Sequence, residues 1–458
     1  MKIVVCIRQG LDGEINPFDA CAYESALQIT GAEITLLSMG PQSAQDFLLR
    51  LTRLGAQKAI LLSDKAFAGA DTLATAYTLS LAIKKISPDL VLCGRQTLVG
   101  DTAQTAPMLA TLACYGLITN VMQIRAIDTA VTCTTRTEGE QTVALPALLT
   151  IERINTLRLP RLRSKLGEVV IWTAADLDAD LTKCGLQGSP TRVLKTFENE
   201  SGKRRCQFIS RMDLDATIKA ALQKSRDRAP ISDEKQKQKL SRVCTVTDAP
   251  RGFAETVSDD IITLELTDAN DLAKQIQALQ PSAVLWGSDA KSKRIAAQVA
   301  AMLSLGLCAD CTRLETDGET LYMYRPALSG SIIAKIHSLT SPAMATVRTE
   351  DGDTKDIIVG VGFGVKDRLD DLYTFAKSYN AELAATRKMT DNGITPYEWQ
   401  VGLTGKTVAP PVYIAVGISG AVHHIVGMER AGTVIAINPD KNAPIFDYAD
   451  YGITEEFS

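Results

Sequence analysis

This 458-residue sequence lacks several things that would have marked other functions. No uncharged apolar run approaches the roughly 20 residues that cross a bilayer. The start, Met1-Lys-Ile-Val-Val-Cys-Ile-Arg8, runs straight into an apolar strand and lacks the zones of a secretory signal. No direct membrane insertion is therefore expected, and a cytoplasmic location is. Basic charge is not in excess: 49 Lys and Arg face 53 Asp and Glu, a net −4. That leaves no electrostatic footprint for nucleic acid. Only three histidines occur, His337, His423 and His424, and no nucleophile–base constellation accompanies them, which argues against an enzyme with its own organic substrate. The ten cysteines are scattered, with Cys6, Cys93 and Cys114 inside apolar segments, as suits buried thiols in a reducing compartment. Cys308-Ala-Asp-Cys311 has half the spacing of a metal site but no second pair, so two thiols on a buried strand are expected and no metal.

What is present points to an α/β protein of more than one domain. Ile3–Ile7, Glu33–Ser38, Ala59–Leu62 and Leu90–Cys93 read as buried strands, separated by helical patterns over Asp19–Thr30, Ala44–Leu54 and Thr72–Ile86. That rhythm predicts a doubly wound parallel sheet, whose ligands bind beyond the C-terminal strand ends. The loops there, Ser38-Met-Gly-Pro41 and Gly94 to Thr105, are the expected place for a nucleotide. Lys224 to Arg242 is polar and charged and reads as a linker.

Near the C-terminus, Gln400-Val-Gly-Leu-Thr-Gly-Lys-Thr-Val-Ala-Pro410 and Tyr413-Ile-Ala-Val-Gly-Ile-Ser-Gly-Ala-Val-His-His424 flank a short apolar strand with glycine-broken loops. Such loops expose backbone N–H groups, and a helix entered at Ser419 would add its positive end, so an anionic cofactor is favoured. An NTPase P-loop is excluded, because Gly402 and Gly405 have two residues between them where that motif needs four. With Ala436-Ile-Asn-Pro-Asp-Lys-Asn-Ala-Pro-Ile-Phe446 and Ala449-Asp-Tyr-Gly452, these blocks resemble the FAD domain of the electron transfer flavoprotein α subunit.

The first half resembles the β subunit of the same flavoprotein, through Ile15-Asn-Pro-Phe-Asp19, Gly55-Ala-Gln-Lys-Ala59, Ala68-Gly-Ala-Asp-Thr72, Gly94-Arg-Gln96 with Gly100-Asp-Thr-Ala-Gln104, and Gly188-Ser-Pro-Thr-Arg192. The resemblance implies a natural β–α fusion. Residues 1–223 would form a β-like domain with a nucleotide site and a C-terminal arm, and 224–242 a linker. Residues 243–355 would form a trimmed α-like domain, and 356–458 the FAD-binding domain. It also departs from the family: Phe363 and Leu403 stand where an arginine and a glutamine are usual, and Val99 where bifurcating relatives carry Asp.

The resemblance assigns site residues as well. Arg387, following Thr386, and His424 would place positive charge beside flavin N1 and O2, and Thr404 would bond N5. Gly405, Lys406, Thr407, Gly417, Ser419 and Gly420 would meet the pyrophosphate or ribityl chain, with Asn438 and Asp450 on the last block. In the first half, Asp101, Thr102, Ala103, Gln104 and Thr105 would receive a phosphate, and Cys6 and Asn16 would flank an adenine. That ligand is AMP in the ordinary member and a second FAD in bifurcating relatives. The implied function is an electron carrier between a flavin-dependent acyl-CoA dehydrogenase and a downstream oxidoreductase or quinone reductase, with NADH as donor if it bifurcates. Glu152 to Arg163 resembles the arm that embraces the other subunit and recognises dehydrogenases. The alternative is a nucleotide-binding scaffold or sensor without redox function.

Overall fold

The computed structural model describes residues 1–10, 12–97, 100–161, 163–198, 203–226, 238–328, 332–348, 355–402 and 405–457. It divides into two compact units. The first holds Met1–Thr196, Gln236–Leu328 and Ala334–Val347; the second holds Phe197–Lys235, Ser329–Ile333 and Arg348–Ser458.

In the first unit the expected parallel sheet is present. Around strand Lys2–Cys6 lie Glu33–Met39, Lys58–Leu62 and Glu168–Trp172 on one side and Leu90–Gly94, Ala147–Ile151 and Gly116–Ile127 on the other. Antiparallel Ala130–Thr135 and Glu140–Ala144 finish that edge. The strands are apolar on both faces because both are covered: Val4 packs into one core cluster and Ile3 and Val5 into another. A second sheet is wholly parallel, in the order Ile261–Leu264, Val243–Val246, Ala283–Trp286, Ala343–Val347, Leu307–Cys311. Cys308 and Cys311 lie buried on its last strand.

One core cluster joins Val4 and Ile60 of the first sheet to Val284 and Trp286 of the second. The helices Thr105–Ala113 and Ala290–Leu303 pack together between them. Shared burial on this scale is why the β-like and α-like pieces form one unit.

The second unit is built on a six-stranded parallel sheet, Gln207–Phe208, Tyr451–Ile453, Thr433–Ile437, Val412–Val416, Ile357–Val361, Glu382–Ala385. Its first strand precedes the linker in sequence. Residues 197–223, read from sequence as the end of the β-like domain, and the first residues read as linker both group with the C-terminal sheet. Leu214, Ile218 and Ala221, on one face of helix Leu214–Arg226, enter its core. Arg204 anchors the arm through an ion pair with Asp450 at 2.5 Å and bonds to the carbonyls of Glu429 and Ala431 at 3.1 and 2.6 Å. Among the described residues no helix is long and apolar enough to cross a membrane.

Candidate cofactor sites

In the first unit the chain leaves strand Leu90–Gly94 and enters helix Thr105–Ala113 through a loop with two left-handed residues, Asp101 at φ 52° and Ala103 at φ 55°. Gln104 returns to the right-handed region, and that alternation turns successive N–H groups toward one point. The helix start has no side-chain cap, so its dipole reinforces the same place. Above it opens a cavity of about 980 Å3 at the C-terminal ends of the parallel strands, lined from both loops named from sequence, Ser38–Pro41 and Gly94–Thr105.

Of the residues named from sequence, Cys6, Thr102, Ala103 and Thr105 line this cavity. Asn16, Asp101 and Gln104 stand behind it and hold the loop. Asn16 Nδ2 donates to the Gln96 carbonyl at 3.0 Å, and Gln96 Nε2 donates to Asp101 Oδ1 at 2.6 Å. Gln104 is fully buried, its amide unpartnered.

Sequence reasoning missed two lining residues. Asp19 Oδ2 accepts the Arg8 N–H at 2.8 Å and Oδ1 the Gly94 N–H at 3.2 Å. A Cβ on residue 94 would lie 2.3 Å from that carboxylate, so glycine is required there. Burial outweighs these bonds and pushes the Asp19 carboxyl up to about 7. Arg325 reaches the cavity from the α-like part, 6 % exposed. One Nη donates to the Asp101 carbonyl at 3.0 Å, Nε has no partner, and among the described residues no carboxylate pairs with it. A buried guanidinium without a counter-ion is costly, and an anionic ligand would supply one. The one available signal was an arginine inside the apolar strand Leu321–Ala327.

The second unit offers a different surface, the C-terminal edge of its six-stranded sheet. Backbone crowds together there. Gly420 has φ +95°, and a Cβ on it would lie 2.1 Å from the Ile445 nitrogen; one on Gly362 would lie 2.0 Å from the Gly417 carbonyl. Gly417 itself is left-handed at φ +63°. The short helix begins at Val422 rather than Ser419, because the Ser419 carbonyl is used by the Ile445 N–H at 3.1 Å. Thr386 keeps a buried Oγ1 without a partner. Phe363, in place of the family's arginine, lies under two ammonium groups, Lys388 Nζ at 4.0 Å and Lys366 Nζ at 5.1 Å from its ring centroid. Positive charge has moved to neighbouring side chains. Glycine-lined backbone, two exposed cations and a buried free hydroxyl fit an anionic dinucleotide.

Other side chains assigned to this edge are already engaged. Arg387 Nε pairs with Asp391 at 3.1 Å, and Lys406 Nζ with Glu382 at 2.5 Å. Asn438 donates to the Ile418 carbonyl at 2.9 Å and accepts the Asp440 N–H at 2.9 Å, tying two loops. Gly405 packs on the Gln400 carbonyl, and Thr407 is buried. Thr404 and Leu403, like Val99, lie outside the described residues.

Two of the assigned residues are held by protein partners. His424 is buried, with Nε2 3.0 Å from the Tyr413 hydroxyl and Nδ1 3.1 Å from the Val401 carbonyl. Burial holds its pKa down at about 4, so near neutral pH the ring is uncharged and supplies no cation. Asp450 is engaged within the protein: its Oδ2 takes Arg204 at 2.5 Å and the Val434 N–H at 2.8 Å. Val434 stands at the start of its strand, the end of the sheet opposite the ligand edge.

Glycine-broken loops at the ends of parallel sheets, one set in each unit, mark an α/β protein of the flavoprotein class. Residues 3–177 and 256–355 match the electron transfer flavoprotein domain, and residues 353–429 match the electron transfer flavoprotein FAD-binding domain. The chain belongs to the electron transfer flavoprotein family. Its N-terminal half is similar to Protein FixA of Azorhizobium caulinodans, 43% identical over 223 residues, covering 44% of this chain and 79% of that one. It is similar also to Protein FixA of Bradyrhizobium diazoefficiens, 40% identical over 223 residues (44% and 77%). The electron transfer flavoprotein subunit beta of Clostridium acetobutylicum is 40% identical over 205 residues (42% and 79%). β-like and α-like parts are thus fused in one chain.

Proposed function

We propose that this chain is an electron carrier with two dinucleotide sites, FAD at the C-terminal edge and a second FAD in the N-terminal cavity. The observation that carries the second site is the cavity itself. Its 980 Å3 lies at the top of the roughly 300–1,000 Å3 range of small-molecule pockets, more than a mononucleotide such as AMP fills. Flavin, when bound, accepts a hydride or single electrons and releases electrons one at a time. The protein's part is to hold and insulate. The amides of Ala103 to Thr105 and the Arg325 guanidinium take phosphate charge in the cavity. Lys366, Lys388, Thr386 and the loops at Gly362, Gly417 and Gly420 hold the C-terminal cofactor. With a second FAD, NADH is the electron source; the acceptor is a downstream oxidoreductase or quinone reductase.

Contact with a flavin dehydrogenase of the acyl-CoA class falls on the segment after Glu152. Arg158 is pinned to Glu24 at 2.6 Å, which leaves Leu159, 87 % exposed, at the tip. An exposed leucine beside arginines suits a docking rim.

Cofactor content tests the reading: the purified, desalted chain is denatured, and released FAD and AMP are quantified. Two FAD per chain are expected. One FAD with one AMP would make it a plain shuttle, and no flavin even after reconstitution would leave the scaffold reading. Thr105→Tyr, at the cavity wall, should expel the N-terminal nucleotide and spare the other.

A further inference from the structure

The N-terminal cavity is lined by two cysteines, Cys6 and Cys93, whose thiol chemistry the proposed function leaves unused. Cys6 and Cys93 end adjacent parallel strands and are register partners. Register partners point to the same face, and both side chains line the cavity. Adjacent strands lie about 4.8 Å apart, inside the roughly 4.4–6.8 Å between Cα atoms that a disulfide spans. All ten cysteines are free; the others that reach solvent are Cys114, exposed, and Cys206, half-buried.

The two sulfurs differ. Cys93 is buried, and the adjacent Cys6 thiol, its burial and the nearby Asp19 carboxylate hold its thiol well above the ordinary range. It keeps its proton. Cys6 is half-buried on the cavity side and is the sulfur an incoming reagent meets first.

We infer that Cys6 and Cys93 form a vicinal dithiol modification site, which low-molecular-weight disulfides oxidise and a bound nucleotide shields. This rests, for the shielding alone, on the cavity being a nucleotide site. The Cys6 thiolate attacks one sulfur of the reagent RSSR, whose S–S bond breaks to give a Cys6–SR mixed disulfide and RS⁻. That RS⁻ takes the Cys93 proton and leaves as RSH; the Cys93 thiolate attacks the Cys6 sulfur and displaces the second RS⁻, which takes up from solvent the proton that Cys6 gave. In sum, two protein thiols and RSSR become one protein disulfide and two RSH, so electrons and protons balance. A Cys6 adduct and a nucleotide compete for the same space, so each weakens the other by the same factor.

The test uses the reduced full chain with excess oxidised glutathione, followed by peptide mass spectrometry without reduction. A Cys6–Cys93 cross-linked peptide is expected. Excess FAD or ADP should slow its appearance at least tenfold and leave glutathionylation of Cys114 unchanged. Cys93→Ser should stop at the Cys6 adduct. Should that variant not fold, the wild-type cross-link still decides. Cys114 reacting while Cys6 and Cys93 stay reduced would overturn the proposal, as would a Cys6 adduct that never passes to Cys93. A cross-link forming at the same rate with nucleotide present would support the dithiol and remove the nucleotide reading of the cavity. Protection of Cys6 from alkylation with no cross-link under oxidant would do the reverse.

Discussion

On the function proposed above, the two units would each hold an anionic dinucleotide on a parallel sheet, and they offer different materials for it. The N-terminal unit has a cavity with buried Asp19 and Arg325 at its wall. The C-terminal unit uses an edge of crowded backbone, and its charged side chains are largely committed to one another: Arg387 to Asp391, Lys406 to Glu382, Asp450 to Arg204. The contrast predicts that binding in the first leans on buried side-chain charge and in the second on glycine positions. A motif dense in glycine therefore marks where a cofactor lies while its charged letters describe how the loops are tied.

If that contrast is right, the largest effect comes from a methyl group. Gly420→Ala puts a Cβ 2.1 Å from the Ile445 nitrogen at φ +95°, a clash with backbone that cannot yield. It should cost roughly 3 kcal/mol or more and abolish FAD retention at the C-terminal edge, read as flavin content and Tm. Full flavin content would show that the backbone does not shape the site.

Next is the arm. Arg204→Ala removes the partner of Asp450 and three carbonyl bonds, and should destabilise the C-terminal unit by about 2–3 kcal/mol, discounted because Asp450 is partly exposed. Denaturant unfolding followed at Trp399 reports it. An unchanged midpoint would mean that residues 197–226 lie on that sheet without stabilising it.

The units also carry buried titrating groups of opposite sign. His424 has a folded-state pKa of about 4, below its ordinary 6.5, so its contribution is complete above pH 6.5 and is lost as pH falls toward 4. The loss is on the order of 3 kcal/mol. Asp19 is raised from 3.8 to about 7: the unfolded carboxyl ionises first, so the first unit loses stability as pH rises from 4 toward 7. Unfolding of the whole chain between pH 4 and 7 should show the C-terminal unit melting earlier at the acid end. His424→Gln, which can still accept from Tyr413 and donate to the Val401 carbonyl, should flatten that unit's dependence alone.

The smallest effect is at Arg387. Because Asp391 already pairs with it at 3.1 Å, Arg387→Ala should lower the flavin midpoint potential by no more than about 1 kcal/mol equivalent. A larger drop in potentiometric titration would mean that Arg387 leaves Asp391 for the cofactor.

Much was legible before any coordinates. Continuous apolar runs such as Ile3–Ile7 and Ala283–Trp286 can be satisfied only by strands covered on both faces, and glycine spacing located the C-terminal edge. The charge states were not legible. His424 and Asp450 occupy the right motif positions, yet Tyr413, Val401 and Arg204, distant in sequence or unremarked, decide what they do.

By itself, then, the sequence determined the class of fold and the family, since periodicity and local glycine chemistry are properties of short segments. Only the tertiary structure decided that residues before the linker complete the C-terminal sheet, that Arg325 faces a cavity more than two hundred residues upstream, and that Cys6 stands beside Cys93. Those depend on which buried surfaces meet and which charge finds which partner, and such long-range pairings are set by the free energy of the whole packed core.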